Sequence, residues 1–356
     1  MSESGLRSVK AKYSIFLPVR NGQRYVAKAI ESVLAQKFLD FTLIILENKS
    51  TDDTLSLVRN YDDPRIIVIE AQRALNMYEN WRRIYELISS GEVQSEFSAT
   101  LGHDDVLYPE FLTTIDSLVF SFPDASLYQT HFDIIDQAGK IKRPCQPIPL
   151  KESHKDFFLA RCWGNRDSFG TGYVFRTSDY AKVGGVPDHP LLLWSDDLLV
   201  IQLAQLAYKV CNNGRSLFAY RASAKSASGA ISVEKYAAVI AATYQYLVEI
   251  ERHHGDLIAE AHDKVAFGYL LAKQIDRFDF PFRTILLSKE EVKTIEQIKT
   301  ATDRLMQGNA LRGLSESDIV DRFYFLLRNY CIMMLYVVNF CRERKGSKGY
   351  RGKVRS

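Results

Sequence analysis

Cysteine is scarce in this 356-residue chain: it occurs five times, at positions 145, 162, 211, 331 and 341. The number is odd and no Cys-x-x-Cys pair is present, which argues against a disulfide framework or a thiolate zinc site and fits a reducing compartment. The seven histidines show no metal-binding spacing, and His253–His254 reads as a solvated helix face. No stretch reaches the ~18 consecutive apolar residues that a bilayer span needs. The opening MSESGLRSVKAKYS lacks the apolar core of a secretory leader, so the expected location is the cytoplasm. Net charge is also small, +3, too little to mark a nucleic-acid partner. No internal repeat or low-complexity tract is visible.

What charge there is sits at the end. From Arg342 to Ser356 seven residues are Lys or Arg and one is Glu, so this tail carries +6 and the rest of the chain about −3. Immediately before it, FYFLLRNYCIMMLYVVNFC (323–341) is strongly apolar but interrupted by Arg328, Asn329 and Asn339. An apolar helix with a basic flank suits the anionic inner face of the plasma membrane. A buried helix followed by a disordered tail is the alternative.

At 46% hydrophobic and 25% charged, the chain has ample apolar residues for a core, and its length suggests two domains. The first half alternates. YSIFLPV (13–19), FTLIIL (41–46), RIIVIE (65–70) and EFSATL (96–101) read as short buried strands. Between them, residues 24–36, the segment capped by Ser50 and Asp53, and residues 78–88 carry helical spacing, and Pro109 opens a fourth helix. Such alternation predicts a mostly parallel sheet flanked by helices, with ligands beyond the carboxyl ends of the strands. SLYQTHFDII, GYVFRT and DDLLVIQLAQLAY continue as two strands and a helix; beyond about 230 the pattern is helical throughout. The expected organisation is a disordered segment at 1–12, an α/β domain at 13–226, a helical region at 227–341 and a basic tail at 342–356. The boundary falls in the small, polar RASAKSASGA (221–230).

Two acidic pairs stand out. GHDDVLYP places His103, Asp104 and Asp105 after the fourth strand, and WSDD places Asp196 and Asp197 before a helix. Either pair can cap a helix or favour its N-terminus, since Asp is suited to both roles. Either can also do chemistry: carboxylates at a strand end are hard oxygen ligands for Mg²⁺ or Mn²⁺. FGTGYVF lacks the third glycine and the setting of a dinucleotide loop, so a tight turn or close packing is expected there.

SIFLPVRNGQRYVAKAIESVLAQKFLDFTLIILENKSTDDT, HDD followed by LYPEFL, VFRTSDYAKVGGVP, WSDDLLVIQLA and YRASAKSAS together resemble, in order, the family 2 glycosyltransferases. The resemblance covers residues 13–226 and implies a GT-A fold with inverting transfer from a nucleotide-diphosphate sugar (UDP-, dTDP- or GDP-linked). The implied acceptor is a glycan or lipid-linked precursor of a surface polysaccharide. It further implies Asp105, with Asp104, as ligand to Mg²⁺ or Mn²⁺. Pro18, Val19, Arg20, Glu47, Asn80 and Asp104 would line the nucleotide site. Asp196 falls on the position of the catalytic base, with Asp197 as the neighbouring candidate. His103 stands where many relatives have Asp, and Asn48-Lys49 where Asp-Gly is common. For Asn48 and Lys49 a solvated turn is the simpler reading, and Arg20 fits a surface position equally. Tyr78, Trp81 and Ile84 read as core. These departures give weight to a rival: a non-catalytic scaffold or glycan-binding protein that keeps the fold.

Overall fold

The structure, a computed structural model, describes residues 9–222 except 163, 164, 190, 191 and 193. The expectations for the boundary at 223–230, the helical region 227–341, the 323–341 helix and the basic tail lie outside the described residues.

Strand β1 (Tyr13–Val19) runs between β2 (Phe41–Glu47) and β4 (Phe97–Thr100), and β3 (Ile66–Glu70) flanks β2; all four are parallel. Every residue of β1 is buried, as a strand covered on both faces requires. Tyr13, Ile15, Leu17 and Val19 join the main core, while Ser14 on the other face bonds Ser95 Oγ at 2.6 Å. Helix α1 (Val26–Leu34) buries Val26, Ala29, Ile30 and Val33 into the same core. It packs on the short α2 (Thr54–Arg59) and on β5 (Val106–Leu107).

Pro18 in a central strand needs explaining, because proline cannot donate to a ladder. The carbonyl of Phe16 accepts from Leu101 N, so the same edge of β1 faces β4 at residue 18. The β1–β4 register ends at Phe16 and Thr100, so no acceptor is left without a donor there. The ladder between the two strands stops there, at their carboxyl ends.

Further on, the sheet departs from the mostly parallel expectation. Its order is β3-β2-β1-β4-β9-β6-β10-β5. Strand β9 (Tyr173–Arg176) lies antiparallel to both β4 and β6 (Leu127–Ile135). Strand β10 (Lys209–Arg221) is parallel to β6 and antiparallel to β5 and to β8 (Lys151–Glu152), and β7 (Ile141–Pro144) forms a hairpin on β6. Antiparallel neighbours need no helical crossover, so β9 can insert between β4 and β6 without one. Helix α3 (Met77–Ser89) packs on α6 (Thr177–Lys182), and α4 (Phe111–Ser121) on β6 and β10. Helices α5 (His154–Cys162) and α7 (Ser195–Leu206) complete the described elements.

Three local expectations are corrected. Residues 9–12 are not disordered: Val9 is buried and bridges Val93, and Lys12 pairs with Asp116. Ser50 does not cap α2, which begins at Thr54 with no side-chain cap from Asp53. The capping box forms instead at α3, where Glu79 N donates to Asn76 Oδ1 and Asn76 N to Glu79 Oε2, both at 2.8 Å. Finally, Pro109 precedes α4 rather than opening its first turn.

Candidate active site

The acidic motif is fixed from α1. Ser32 Oγ accepts from Leu107 N at 3.2 Å, while Gln36 donates to Tyr108 O at 2.9 Å and accepts from Leu112 N at 3.0 Å. The polar residues of SVLAQ thus tie down the chain that follows Asp105. Asp105 itself is 2% exposed. Its Oδ1 accepts from Arg221 N at 2.8 Å and its Oδ2 from Thr171 Oγ1 at 2.6 Å. The Arg221 guanidinium turns away from that carboxylate, donating to Asp104 O and Asp136 O at 2.7 Å each, and stacks over the Tyr25 ring. Burial first, and the Asp104 charge second, push the Asp105 carboxyl up to about 7.

Glycine at 102 is required by these carboxylates. A Cβ there would stand 2.6 Å from Asp105 Oδ2 and 3.2 Å from Asp104 Oδ1. The two oxygens therefore converge on one small space that a side chain would fill. The His103 ring lies against Gly22, where an added Cβ would come within 2.7 Å of it. It faces the turn after β1 rather than this space.

At the end of β2, Glu47 is fully buried. Its carboxylate accepts from Lys49 N at 3.0 Å and Ser50 N at 2.7 Å, so each oxygen already holds one amide of its own turn. Asn48 corrects the expectation of a solvated turn: it is buried and clasps Leu75, donating to its O at 3.0 Å and accepting from its N at 2.7 Å. Lys49 takes a left-handed φ of 48° to allow this. Val19 O accepts from Asn48 N at 3.0 Å, and the exposed Arg20 reaches Leu75 O at 3.3 Å. Asn80 is buried and accepts from Arg83, which also donates to Glu47 O and Ile69 O. Pro18, Val19, Arg20, Glu47, Asn48 and Asn80 therefore gather at the carboxyl ends of β1 and β2.

Helix α7 separates its two acids. Asp197 takes a bidentate ion pair from Arg161 on α5, with Nε to Oδ1 and NH2 to Oδ2 both at 2.7 Å. Among the described residues no cationic side chain bonds the Asp196 carboxyl. Desolvation, and then the like charge of Asp197, hold it above the usual carboxylate range. Trp194, at a left-handed φ of 62°, leads into the helix, and its carbonyl accepts from Leu198 N at 2.9 Å.

Residues 169–172 join the two pairs. Thr171 bonds Asp105, and an added Cβ on Gly170 would stand 3.6 Å from Asp196 Cβ and 3.5 Å from the Trp81 ring. Phe169 stacks on Tyr220 with centroids 3.5 Å apart, beside Arg221. The segment ends in the tight turn expected of FGTGYVF, with Gly172 at φ 81° against the Phe218 ring. Asp105 and Asp196 thus flank one short segment. Ile84 is core as expected, but Tyr78 and Trp81 remain partly exposed.

A sequence profile of Glycosyl transferase family 2 matches residues 14–184. The chain carries a family 2 glycosyltransferase domain. The GalNAc(5)-diNAcBac-PP-undecaprenol beta-1,3-glucosyltransferase of Campylobacter jejuni is 32% identical over 159 residues, 43% of this chain and 49% of that protein. The chain spans between 14% and 49% of the length of such curated relatives. In three dimensions the domain resembles S. aureus TarS 1–349 at TM-score 0.57 and 15% identity, covering 82% of this chain and 80% of that one. TarS 1–349 has also been solved with UDP-GlcNAc. A mannosyltransferase from Pyrobaculum calidifontis, solved with GDP-Man and Mn²⁺, matches at TM-score 0.50 and 12% identity, over 94% and 90% of the two chains. These likenesses establish the GT-A fold of the family 2 domain.

Arg161, Thr171 and Arg221 were not singled out from the sequence as site residues. Only Arg221 lies in a segment marked by the resemblance, YRASAKSAS. Thr171 and Arg161 act through contacts 66 and 36 residues distant, which no local pattern signals.

Proposed function

We propose that the protein is an inverting, metal-dependent glycosyltransferase. It moves a sugar from a nucleoside-diphosphate donor to a hydroxyl of a lipid-linked or other surface-glycan precursor. The observation that carries this reading is that Asp105 and Asp196 border the same 169–171 segment, so one sugar can lie between them.

The acceptor hydroxyl gives its proton to the Asp196 carboxylate as its oxygen bonds the anomeric carbon. The bond from that carbon to the diphosphate oxygen breaks on the opposite face, so the configuration inverts. A carboxylate held above its ordinary range is a better base than a free one. Asp197, locked to Arg161, is unsuited to this role and serves as structure.

Mg²⁺ or Mn²⁺ fits the convergent oxygens of Asp105 and Asp104 beside Gly102. Each Asp105 oxygen holds one hydrogen-bond donor and keeps a lone pair. When bound, the ion neutralises charge on the departing diphosphate. Among the described residues no group of three or more His, Cys, Asp or Glu could hold a metal, so water and phosphate would complete the shell.

Glu47, Asn80, Arg20 and the backbone of Pro18 and Val19 form the nucleotide site in this reading. With both oxygens of Glu47 already holding turn amides, any base contact uses its remaining lone pairs. Among the described residues no helix is long and apolar enough to cross a membrane. We assign contact with an anionic membrane surface to residues 323–356 on their composition. The test is a panel of UDP-, dTDP- and GDP-sugars assayed with Mn²⁺ for release of the nucleoside diphosphate. One donor class should be turned over and lose turnover with chelator; no metal-dependent binding or release from any donor would favour a non-catalytic scaffold.

A further inference from the structure

Both ends of the Arg161 guanidinium are occupied. Its Nε and NH2 hold Asp197, and its NH1 donates to Arg166 O at 2.8 Å. Arg166 is buried in turn: its guanidinium bonds Glu152 Oε1 at 2.6 and 3.1 Å, and Lys209 Nζ lies 2.8 Å from Glu152 Oε2. A continuous polar train therefore runs from the β8–β10 pair through α5 to the first turn of α7. Its last member, Asp197, is adjacent to Asp196, whose carboxyl no cationic side chain bonds among the described residues.

We infer that Arg161 is a positioning residue for the transfer: it withdraws Asp197 from the chemistry, fixes the first turn of α7 and leaves Asp196 as the carboxylate presented to the acceptor. This rests on the base role proposed above for Asp196. The geometry supports it because a planar bidentate fork sets the direction of Asp197, and with it the rotation of the helix start. The same cation offsets the charge of Asp197, so Asp196 can lose its proton beside it.

The titratable groups on the elements packed against α7, and Tyr173 beside the pair, are engaged with other partners. Tyr173 on β9 is bonded to Ser168 Oγ at 3.1 Å, and burial raises its hydroxyl well above the usual range. On α6, Asp179 and Lys182 pair with each other at 2.8 Å. On β6, Asp133 accepts from Tyr108 and His131 engages Asn212. Trp81 and Gly170, the neighbours on the site side, are uncharged.

The test is a carboxyl ¹³C titration of Asp196 in the full chain, paired with turnover of the best donor from the panel. Arg161→Met should raise the Asp196 midpoint by about one pH unit or more, and Asp197→Asn should lower it. Arg161→Met should also cut kcat by about tenfold or more through lost orientation, with its acid limb shifted the same way. Arg161→Lys, which keeps charge but not the fork, should recover the midpoint better than kcat. Should Arg161→Met fail to fold, Arg161→Lys and Asp197→Asn carry the titration. A midpoint unmoved in these variants, with Asp196→Asn inactive, overturns the role of Arg161 alone. Wild-type turnover in Asp196→Asn overturns the base reading beneath it.

Discussion

The two acidic pairs are built from the same residue type and differ in how the fold meets their charge. Asp197 has a full partner: a buried guanidinium opposes it with two 2.7 Å bonds. Asp105 has no side-chain ion pair among the described residues; a backbone N–H and a threonine hydroxyl hold its buried carboxylate, and the Arg221 guanidinium, bonded elsewhere, acts on it only through its charge. Burying a carboxylate without a direct ion pair is costly, and the cation proposed at Asp105 would offset that cost. The two acidic pairs thus differ in their partners in a way that sequence spacing does not reveal. A third group, Glu152 between Arg166 and Lys209, is the opposite extreme: all three are buried, with a cation on each side of the carboxylate.

The largest effect should come from the two functional acids. Asp196→Asn is expected to cut transfer about 10²- to 10⁴-fold, the range of a lost general base. Asp105→Ala should fall as far and lose its response to Mn²⁺. Rates of nucleoside-diphosphate release measure both, and near-wild-type turnover in either removes that residue from its role.

The closed ion cluster should respond in stability rather than in chemistry. Glu152→Ala leaves Lys209 and Arg166 buried without their anion and should cost about 3–5 kcal/mol in urea unfolding. A cost within 1 kcal/mol would mean the cluster is hydrated, and would weaken the contrast drawn with Asp105.

Asp105 should behave in the opposite sense. Its folded-state pKa of about 7 lies above the ~3.9 of the unfolded chain, so the folded state binds the proton more tightly. Its contribution to stability is therefore greatest below about pH 4 and declines as pH rises to about 7. Without divalent ions, Asp105→Asn should raise stability at pH 8 by on the order of 1–3 kcal/mol and flatten that slope. Mn²⁺ should stabilise the wild type and not the variant, because it binds only the folded carboxylate site. Melting curves with and without Mn²⁺ decide this; an Asp105→Asn protein less stable at pH 8 would show that the carboxylate is compensated after all.

The smallest effects concern loops. Asn48→Ala breaks both bonds to Leu75 and should cost about 2 kcal/mol, weakening nucleotide binding through the 71–76 loop. Asn76→Ala, which removes only a helix cap, should cost about 1 kcal/mol and leave binding unchanged. Equal binding losses would mean that the loop position is set elsewhere.

Much of this was legible in the chain itself. The short apolar runs gave β1 through β4 almost to the residue, because strands buried on both faces leave continuous hydrophobic stretches. The order of polar turns and acidic pairs gave the family and both candidate acids. The α2 cap was misread because Ser50 answers instead to Glu47 and Asn21, contacts that spacing alone does not reveal. The signal Asn76-x-x-Glu79, which does form a capping box, was present in the sequence and not taken up. The antiparallel direction of β9 is not legible locally, because it is set by pairing with β4 and β6, which are distant in sequence.

The sequence by itself determined which residues can carry charge at strand and helix ends, since local pattern and short-range turn chemistry decide that. Only the tertiary structure decided that Arg161 pairs with Asp197 rather than Asp196, and that Asp105 is buried with no direct ion pair among the described residues. Those outcomes turn on Arg161, Thr171 and Arg221, side chains brought in from distant elements, and electrostatics acts through space rather than along the chain.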